Sequence, residues 1–221
     1  MKNILIISGG SVEKFFAGTI INKYKFDCFI AADRGIETYK SLDIIPDYMV
    51  GDFDSADGDL VSSMKSEFAK SGKPIIKQFN PEKDYTDTEL AIKTALTLSP
   101  DNLVIMGATG TRLDHAYANI GLLQIAMESG VNTCILDSHN RITMHDEAFT
   151  IKASDKFSRY FSLLPYTDCV EKLSIEGAKY ELKDFLLTKG NSLTVSNELV
   201  GQKDVNVSFT DGIVILFESR D

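Results

Sequence analysis

Up to about residue 145, short β-branched runs alternate with stretches of helical spacing, and this alternation constrains the fold more than any other feature. It is typical of an α/β domain with a largely parallel sheet, because parallel strands need a crossover long enough for a helix. The predicted strands are Asn3–Ser8, Phe26–Ala32, Tyr48–Gly51, Pro74–Phe79, Asn102–Met106 and Thr133–Asp137. The predicted helices are Asp59–Ser71, Thr86–Leu98 and Asp114–Ser129. Thr86 followed by Glu89 fits a capping box.

After about residue 150 the helical periodicity is lost and short alternating runs follow. The predicted strands there are Tyr160–Leu164, Lys172–Ile175, Ser192–Ser196, Val205–Phe209 and Ile213–Glu218. Asp211 and Gly212 predict a hairpin between the last two, because both residues tolerate positive φ. We predict an open α/β domain over residues 1–145, with a largely parallel sheet and flanking helices, and an all-β sandwich over residues 150–221. So small a sandwich is expected to pack against the first domain or a second subunit.

Composition excludes several classes of function. The 221 residues include 23 Lys and Arg against 32 Asp and Glu, a net charge of -9 that repels nucleic acid and anionic membranes. No apolar run approaches the roughly 20 residues of a membrane span, and the N-terminal run is too brief for a secretory signal. We therefore expect a cytoplasmic protein with neither nucleic-acid nor membrane partners. Cys28, Cys134 and Cys169 show no metal-binding spacing and are interpreted as buried hydrophobic residues.

An acidic stretch from Asp33 to Asp59 carries the clearest chemical signal. Asp52 and Asp54 follow an apolar strand, and in an extended segment their side chains point to the same side. Two such carboxylates suit Mg²⁺, which takes one or two carboxylates together with substrate phosphates. The alternative is a solvated acidic loop, which a lone pair of this kind does not exclude.

Other polar residues follow neighbouring strands. Asp33 comes directly after the second strand, and Lys83, Asp84, Thr86 and Asp87 come after the fourth. Each has a simpler interpretation as a turn or a helix cap. In an open α/β sheet, however, these loops gather at the carboxyl edge, where ligands bind. Several carboxylates on one rim repel one another, so we predict a bound metal ion.

The fifth strand runs into a glycine-rich loop, "GATGTR", and then a helix. Its amides and the positive end of the helix dipole favour an anion, to which Arg112 adds a bidentate donor. The string is neither a Walker A loop nor a dinucleotide fingerprint, and an ordinary strand-to-helix turn is the alternative. His115 and Asn119 lie one helical turn apart. Gly9, after the first strand, allows a backbone to approach a ligand closely or makes a turn.

Four motifs resemble those of one known family. The strings "AADRGIETYKSLDIIPDYMVGDFDS", "EKDYTDTELAI" and "GATGTRLDHAYANIGLL" are similar to successive motifs of the thiamine pyrophosphokinases, in the same order and spacing. The later string "TVSNEL" resembles a Ser-Asn-Glu segment of that family's C-terminal β domain. Two positions depart from the pattern: Thr111 stands where the family usually has Gly, and Leu199 where it usually has Phe.

The resemblance implies an enzyme that transfers the pyrophosphoryl group of ATP to the hydroxyethyl oxygen of thiamine. It implies an ATP-binding catalytic α/β domain, a thiamine-binding β domain, Mg²⁺ or Mn²⁺, and a homodimer with sites at the subunit interface. The catalytic residues it implies are Asp52, Asp54, Asp84 and Asp87, with Asp52, Asp54 and Asp87 as metal ligands and either Asp84 or Asp87 as a base. The ATP-binding residues it implies are Gly9, Asp33, Arg34, Lys83, Thr109, Arg112, Asp114 and His115. The thiamine-binding residues it implies are Asn119, Ser196 and Asn197.

Three other functions stay open at this point. A pyrophosphokinase acting on another hydroxymethyl compound, such as a pterin, would use the same metal and ATP motifs. A Mg-dependent phosphatase of the haloacid-dehalogenase type would use Asp52 as a nucleophile, although Ala56 stands where that motif has Thr or Val. A non-enzymatic nucleotide- or thiamine-binding module is the third.

Overall fold

A computed structural model of the chain describes residues 1–53, 58–78 and 84–221. These residues form two compact units, Met1–Ser138 and His139–Asp221. The division lies one strand before the boundary predicted at residue 145, because Asn140–His145 pairs antiparallel with Val214–Ser219 near the end of the chain. Within the described ranges, no helix is both long and apolar enough to cross a membrane.

The first unit alternates strands and helices. Its strands are β1 (Asn3–Ile7), β2 (Cys28–Ala32), β3 (Tyr48–Gly51), β4 (Ile75–Gln78), β5 (Asn102–Met106) and β6 (Asn132–Leu136). Its helices are α1 (Lys14–Lys23), α2 (Gly35–Ser41), α3 (Gly58–Ser71), α4 (Asp87–Leu96), α5 (Leu113–Gly121) and α6 (Leu123–Glu128). The sequence pattern did not predict α1 or α2. The single helix predicted over Asp114–Ser129 is divided after Gly121, a poor helix former.

These strands form a parallel sheet in the order β6-β5-β1-β2-β3-β4. The side chains of Ile4–Ile7 in β1 are fully buried, as expected for a central strand that is covered on both faces. From β1 the chain adds strands on one side up to β4 and then crosses to β5 on the other side. Ligands bind beyond the carboxyl ends of strands at such a switch point. The fold class predicted for this part of the chain is confirmed.

The second unit is an antiparallel β sandwich. Its strands are β7 (Asn140–His145), β8 (Phe149–Ile151), β9 (Tyr160–Pro165), β10 (Cys169–Glu176), β11 (Leu182–Thr188), β12 (Asn197–Glu198), β13 (Val205–Ser208) and β14 (Val214–Ser219). One sheet has the order β12-β9-β14-β7 and the other β11-β10-β13-β8. Side chains from both sheets, such as Leu163 and Val207, form one buried core. The predicted C-terminal β domain is confirmed.

The hairpin predicted at Asp211 and Gly212 is wrong. β13 pairs with β8 and β10, whereas β14 pairs with β7 and β9, so the chain changes sheets at this turn. The turn is held by β10, since the Glu171 amide donates to the carbonyl of Asp211 at 2.9 Å. Gly212 has φ 101° and lies so close to β10 that a Cβ atom there would be 2.5 Å from the carbonyl oxygen of Cys169. Tertiary packing therefore decides the pairing.

The strand predicted over Ser192–Ser196 is also wrong. This segment forms turns, in which the Val195 amide donates to the Ser192 carbonyl at 3.1 Å. Ser196 has φ 59°, in the left-handed region that ends regular strand geometry. Strand pairing begins only after it, where Asn197 and Glu198 pair with β9.

A half-buried imidazole in the sandwich predicts a pH-dependent stability. His145 stacks on Phe149 with ring centroids 3.9 Å apart, and its Nε2 shares a 2.8 Å hydrogen bond with the Thr143 hydroxyl. Burial lowers the pKa of His145 from 6.5 to about 4. The unfolded chain therefore binds more protons between these pH values, and the stability present above pH 6.5 is lost as the pH falls to about 4. The loss of unfolding free energy from this one residue is at most about 3 kcal/mol.

Denaturant unfolding of the wild type and a His145→Gln variant across this pH window measures the effect. We expect the difference in unfolding free energy between the wild type and the variant to shrink as the pH falls. Only the wild type has an imidazole at this position that gains a proton when unfolding exposes it. A pH-independent difference would contradict the assignment. Carboxylates elsewhere titrate equally in both proteins, so the comparison cancels their contribution.

Candidate active site

Three carboxylates from separate segments converge at the carboxyl edge of the parallel sheet. Asp33 follows β2, Asp52 follows β3, and Asp87 is the first residue of α4. Each offers one oxygen atom, and these three atoms lie within 4.8 Å of one another. Carboxylates this close repel each other, and hard oxygen donors in such a group suit a divalent cation. We call these three residues the carboxylate cluster.

Asp33 is the most constrained member of the cluster. Its backbone has φ 47°, a left-handed conformation that Asp tolerates better than most residues. Its Oδ1 atom is buried and has no hydrogen-bond partner among the residues that the structure describes. Burial raises the pKa of its carboxyl, and the charges of Asp87 and Asp52 raise it further. A buried acceptor without a partner, in a cluster of like charges, is an unfavourable arrangement unless a cation is bound.

Two glycines make room for the cluster. A Cβ atom at Gly51 would lie 3.2 Å from Asp87 Oδ1 and 3.3 Å from the Asp33 amide nitrogen. A Cβ atom at Gly9 would lie 3.3 Å from Asp33 Oδ2 and 3.6 Å from the Cβ atom of Arg34. Gly9, Asp33 and Arg34, all predicted to bind ATP, are therefore neighbours. Arg34 lies at the surface, where its guanidinium pairs with Glu37 at 3.3 Å.

Asp87 is placed by the start of α4. The Thr86 hydroxyl caps this helix by accepting from the Glu89 amide at 3.2 Å, as the sequence predicts. The next residue, Thr88, shares a buried hydrogen bond of 3.1 Å with Ser8 at the end of β1. Cap and buried hydroxyl pair together fix the first turn of α4 against the central strand.

The remaining acidic predictions fare differently. Asp54 and Lys83 lie outside the described residues. Asp84 has an exposed side chain and is not a member of the carboxylate cluster. Phe53, next to Asp52 at the end of this described range, has φ 62°, so the backbone at Phe53 itself is not extended.

Two loops interlock at the switch point between β1 and β5. The Gly10 amide donates to the carbonyl of Gly107 at 2.9 Å. A Cβ atom at Gly10 would lie only 2.4 Å from the carbonyl oxygen of Gly107 and 2.5 Å from that of Thr109. Gly107 has φ 67°, and a Cβ atom there would lie 2.5 Å from the carbonyl oxygen of Ser8. Only glycine fits at either position without backbone displacement.

The loop ends in an exposed pair of charges at the N-terminus of α5. Arg112 binds Asp114 in bidentate fashion, with Nη2 at 2.6 Å from Oδ2 and Nε at 3.3 Å from Oδ1. This hydrogen bond lowers the pKa of Asp114 and raises that of Arg112. His115 Nε2 lies 3.9 Å from Asp114 Oδ2. All three side chains are more than half exposed, so the guanidinium is accessible to an anionic ligand.

Two other predicted residues hold the loop itself. The Thr109 hydroxyl donates to Asp137 Oδ2 at 2.7 Å. Asn119 is buried, and its Nδ2 atom donates to the carbonyl of Ala108 at 2.8 Å. His115, one turn earlier on α5, is exposed instead. Within this chain, Asn119 therefore contacts the loop of the first unit.

The predicted thiamine residues of the second unit differ in exposure. Ser196 is exposed, and its amide donates to the Ser162 hydroxyl at 3.0 Å. Asn197 is buried, and its side-chain amide bonds to the backbone of Tyr180 and to the Glu198 amide. Leu199, one of the two departures from the family pattern, belongs to the core of the sandwich.

Two parts of the chain match two domains of one known protein family. Residues 22–135 match the thiamin pyrophosphokinase catalytic domain, and residues 148–214 match the thiamin pyrophosphokinase vitamin B1 binding domain. The chain belongs to the thiamin pyrophosphokinase family. Thiamin pyrophosphokinases are ATP-dependent pyrophosphotransferases, so the predicted enzyme class is confirmed. The family match does not favour a pterin pyrophosphokinase or a phosphatase.

Relatives extend this similarity over the whole chain. The thiamine pyrophosphokinase of Bacillus subtilis is 31% identical over 221 residues, which cover 100% of both chains. Its crystal structure superposes with a TM-score of 0.85 at 30% identity, again covering 100% of each chain. The thiamin pyrophosphokinase structure from Geobacillus thermodenitrificans gives a TM-score of 0.83 at 28% identity, covering 99% of this chain and 98% of that one.

The site residues predicted from the sequence of this thiamin pyrophosphokinase family member did not include Asp137, Ser8 or Thr88. Asp137 follows β6, so the rule that loops gather at the carboxyl edge would have found it had it been applied to the sixth strand. Ser8 and Thr88 form a buried pair of hydroxyls 80 positions apart, and no local pattern marks such a pair.

Proposed function

We propose that this chain transfers the pyrophosphoryl group of ATP to thiamine at the carboxyl edge of its parallel sheet. The hydroxyethyl oxygen attacks the β-phosphorus, the bond from that phosphorus to the bridging oxygen of the α-phosphate breaks, and AMP leaves. The observation that carries the proposal is the convergence of Asp33, Asp52 and Asp87 within 4.8 Å. In such a reaction, orientation and charge neutralisation supply most of the catalysis.

The carboxylate cluster fits a divalent cation, which we propose to be Mg²⁺ with Mn²⁺ as an alternative. All its donors are hard oxygens, and the buried Asp33 Oδ1 lacks another partner among residues 1–53, 58–78 and 84–221. When bound, the ion neutralises charge on the polyphosphate of ATP. This proposal adds Asp33, first assigned to ATP, to the ligands. Asp54 stays a predicted ligand outside the described residues.

We assign the remaining roles from the exposure and the hydrogen bonds of each side chain. Because Asp87 belongs to the cluster, we assign to the exposed Asp84 the role of accepting the proton of the attacking hydroxyl. Ser196 has an exposed hydroxyl that suits a thiamine contact, whereas Asn197 shapes the segment through its backbone hydrogen bonds. Thiamine is a cation, and a net charge of -9 favours its approach.

AMP release from ATP, measured with and without thiamine, tests this function. We expect equimolar AMP and thiamine diphosphate in the presence of both substrates and Mg²⁺, and no product after chelation. AMP formed only with a hydroxymethyl pterin would support the other pyrophosphokinase. Phosphate released without an acceptor would indicate a phosphatase, and binding without turnover would indicate a binding module.

Arg112 is predicted to bind phosphate through its planar guanidinium. The phosphate would replace Asp114, with which the exposed guanidinium pairs in this structure. An Arg112→Lys variant keeps the charge but loses bidentate geometry, so we expect kcat/KM for ATP to fall about tenfold or more. Thiamine binding, measured by calorimetry without ATP, should stay within about threefold. Equal weakening of thiamine binding would place Arg112 in the vitamin site instead.

A homodimer with sites at the subunit interface remains our proposal for the assembly. Large apolar side chains on α1 and α5 support it, since Phe15, Leu113 and Tyr117 are 81%, 78% and 81% exposed in the isolated chain. Light scattering tests it, because a dimer has twice the chain mass of 24.4 kDa. The cytoplasmic location stays a prediction.

A further inference from the structure

The loop after β5 is tied at three consecutive residues to three different elements. Gly107 accepts from the amide of Gly10 after β1 at 2.9 Å. Ala108 accepts from the side chain of Asn119 on α5 at 2.8 Å. Thr109 donates its hydroxyl to Asp137 after β6 at 2.7 Å. The loop is therefore held by the segment after β1, by helix α5 and by the segment after β6.

The bond between Thr109 and Asp137 differs from the other two because its acceptor is a carboxylate. Hydrogen bonds to charged acceptors are roughly twice as strong as neutral ones. A threonine hydroxyl has a single proton, and here that proton goes to Asp137. The Thr109 hydroxyl is thus not available as a donor to phosphate, and the loop is left with its backbone N–H groups for that purpose.

We propose that Asp137 is a positioning residue for pyrophosphoryl transfer, which holds Thr109 so that the backbone N–H groups of the following residues face the phosphates of ATP. This inference rests on the proposed function. It assigns a task to Asp137 and changes that of Thr109, whose side chain serves the loop and not the nucleotide. Anion binding by backbone amides depends on their orientation, so a loop released at Thr109 binds ATP more weakly.

A double-mutant cycle on this pair is the test. Thr109→Val removes the hydroxyl with little change in shape, and Asp137→Ala removes its acceptor. We expect each single variant to raise KM for ATP about tenfold or more, with KM for thiamine within about threefold of wild type. Because both changes break the same bond, the double variant should match the weaker-binding single variant within about threefold. Thr109→Ser keeps the hydroxyl and should restore near-wild-type KM.

Two controls separate positioning from general damage. Thr167 also donates its hydroxyl in a 2.7 Å hydrogen bond, here to the backbone carbonyl of Cys169, and it lies in the sandwich. Thr167→Val should lower the melting temperature without changing KM for ATP. Thermal unfolding of the variants at Thr109 and Asp137 tests whether they are folded. If Asp137→Ala does not fold, Asp137→Asn replaces it. Because asparagine is a neutral and weaker acceptor, Asp137→Asn should raise KM for ATP less than Thr109→Val does.

Effects that multiply in the double variant, or singles that bind ATP as the wild type does, would overturn the proposal. Multiplication is the result expected if the Thr109 hydroxyl contacted phosphate directly. The same cycle is measured by calorimetric binding of ATP with Mg²⁺ in the absence of thiamine. A wild type that produced no thiamine diphosphate would refute the proposed function, whereas the calorimetric cycle would still decide the role of Asp137.

Discussion

Asparagine substitutions in the carboxylate cluster are expected to abolish most of the activity while leaving the metal-free fold intact. Asp33→Asn, Asp52→Asn and Asp87→Asn each remove a charge that the proposed Mg²⁺ needs, so the rate of AMP release should fall more than about 100-fold. That loss corresponds to at least roughly 2.7 kcal/mol of transition-state stabilisation. The measurement is turnover at saturating Mg²⁺, ATP and thiamine.

Stability should respond in the opposite direction. In the metal-free protein the three carboxylates repel one another, and burial raises the pKa of Asp33. A carboxyl whose folded-state pKa is raised destabilises the fold above that pKa, so Asp33→Asn should keep or increase the melting temperature at neutral pH. Asn also tolerates the positive φ at this position.

Asp43 provides a matched control from the same acidic stretch. It is exposed, has φ 59° close to the 47° of Asp33, and lies outside the cluster. Asp43→Asn should therefore leave turnover within about twofold of wild type. Wild-type turnover by Asp33→Asn at saturating Mg²⁺ would end the assignment of the cluster.

Gly35→Ala is expected to cause the largest loss of stability. Gly35 begins α2, and a Cβ atom there would lie 1.9 Å from the carbonyl oxygen and 2.7 Å from the carbonyl carbon of Ile7. Both are backbone atoms at the end of the central strand, which cannot move aside as a side chain can. The helix must separate from β1, at a cost of about 3 kcal/mol or more. Because Asp33 lies two residues earlier, activity should fall as well.

Gly18→Ala is the control for this substitution. Gly18 lies inside α1, and a Cβ atom there would have no described neighbour within 4 Å. Alanine is a better helix former, so this variant should gain up to about 1 kcal/mol. Denaturant unfolding of both variants gives the comparison. Equal stability of the two would show that α2 does not approach β1 as closely as the structure has it.

Local patterns in the sequence were sufficient wherever one segment determines its own structure. The apolar run Ile4–Ile7 predicts a strand, and the structure has one, with all four side chains fully buried. Thr86 predicts the start of α4 and caps it. The rule that strand ends meet at one edge of a parallel sheet predicted that Asp33, Asp52 and Asp87 would lie close together, and they form the cluster. The motifs also predicted the family.

Local patterns failed where distant segments compete for the same residues. Asp211 and Gly212 have the composition of a hairpin turn, yet β13 pairs with β8 and β10 in one sheet and β14 pairs with β7 and β9 in the other. Phe53 has positive φ although its neighbours predict an extended segment. Such conformations are decided by packing energies summed over the whole unit and not by local preference.

The sequence by itself determined the alternation of elements, the acidic edge and the family, because these depend on residue spacing along the chain. Only the tertiary structure decided that an oxygen atom of Asp33 lies within 4.8 Å of oxygen atoms of Asp52 and Asp87. It also decided that the Thr109 hydroxyl donates to Asp137 and that the Asn119 side chain donates to the carbonyl of Ala108. These are contacts between atoms on separate strands and helices. A hydrogen bond depends on ångström-scale distance and direction, and only the packed sheet fixes both.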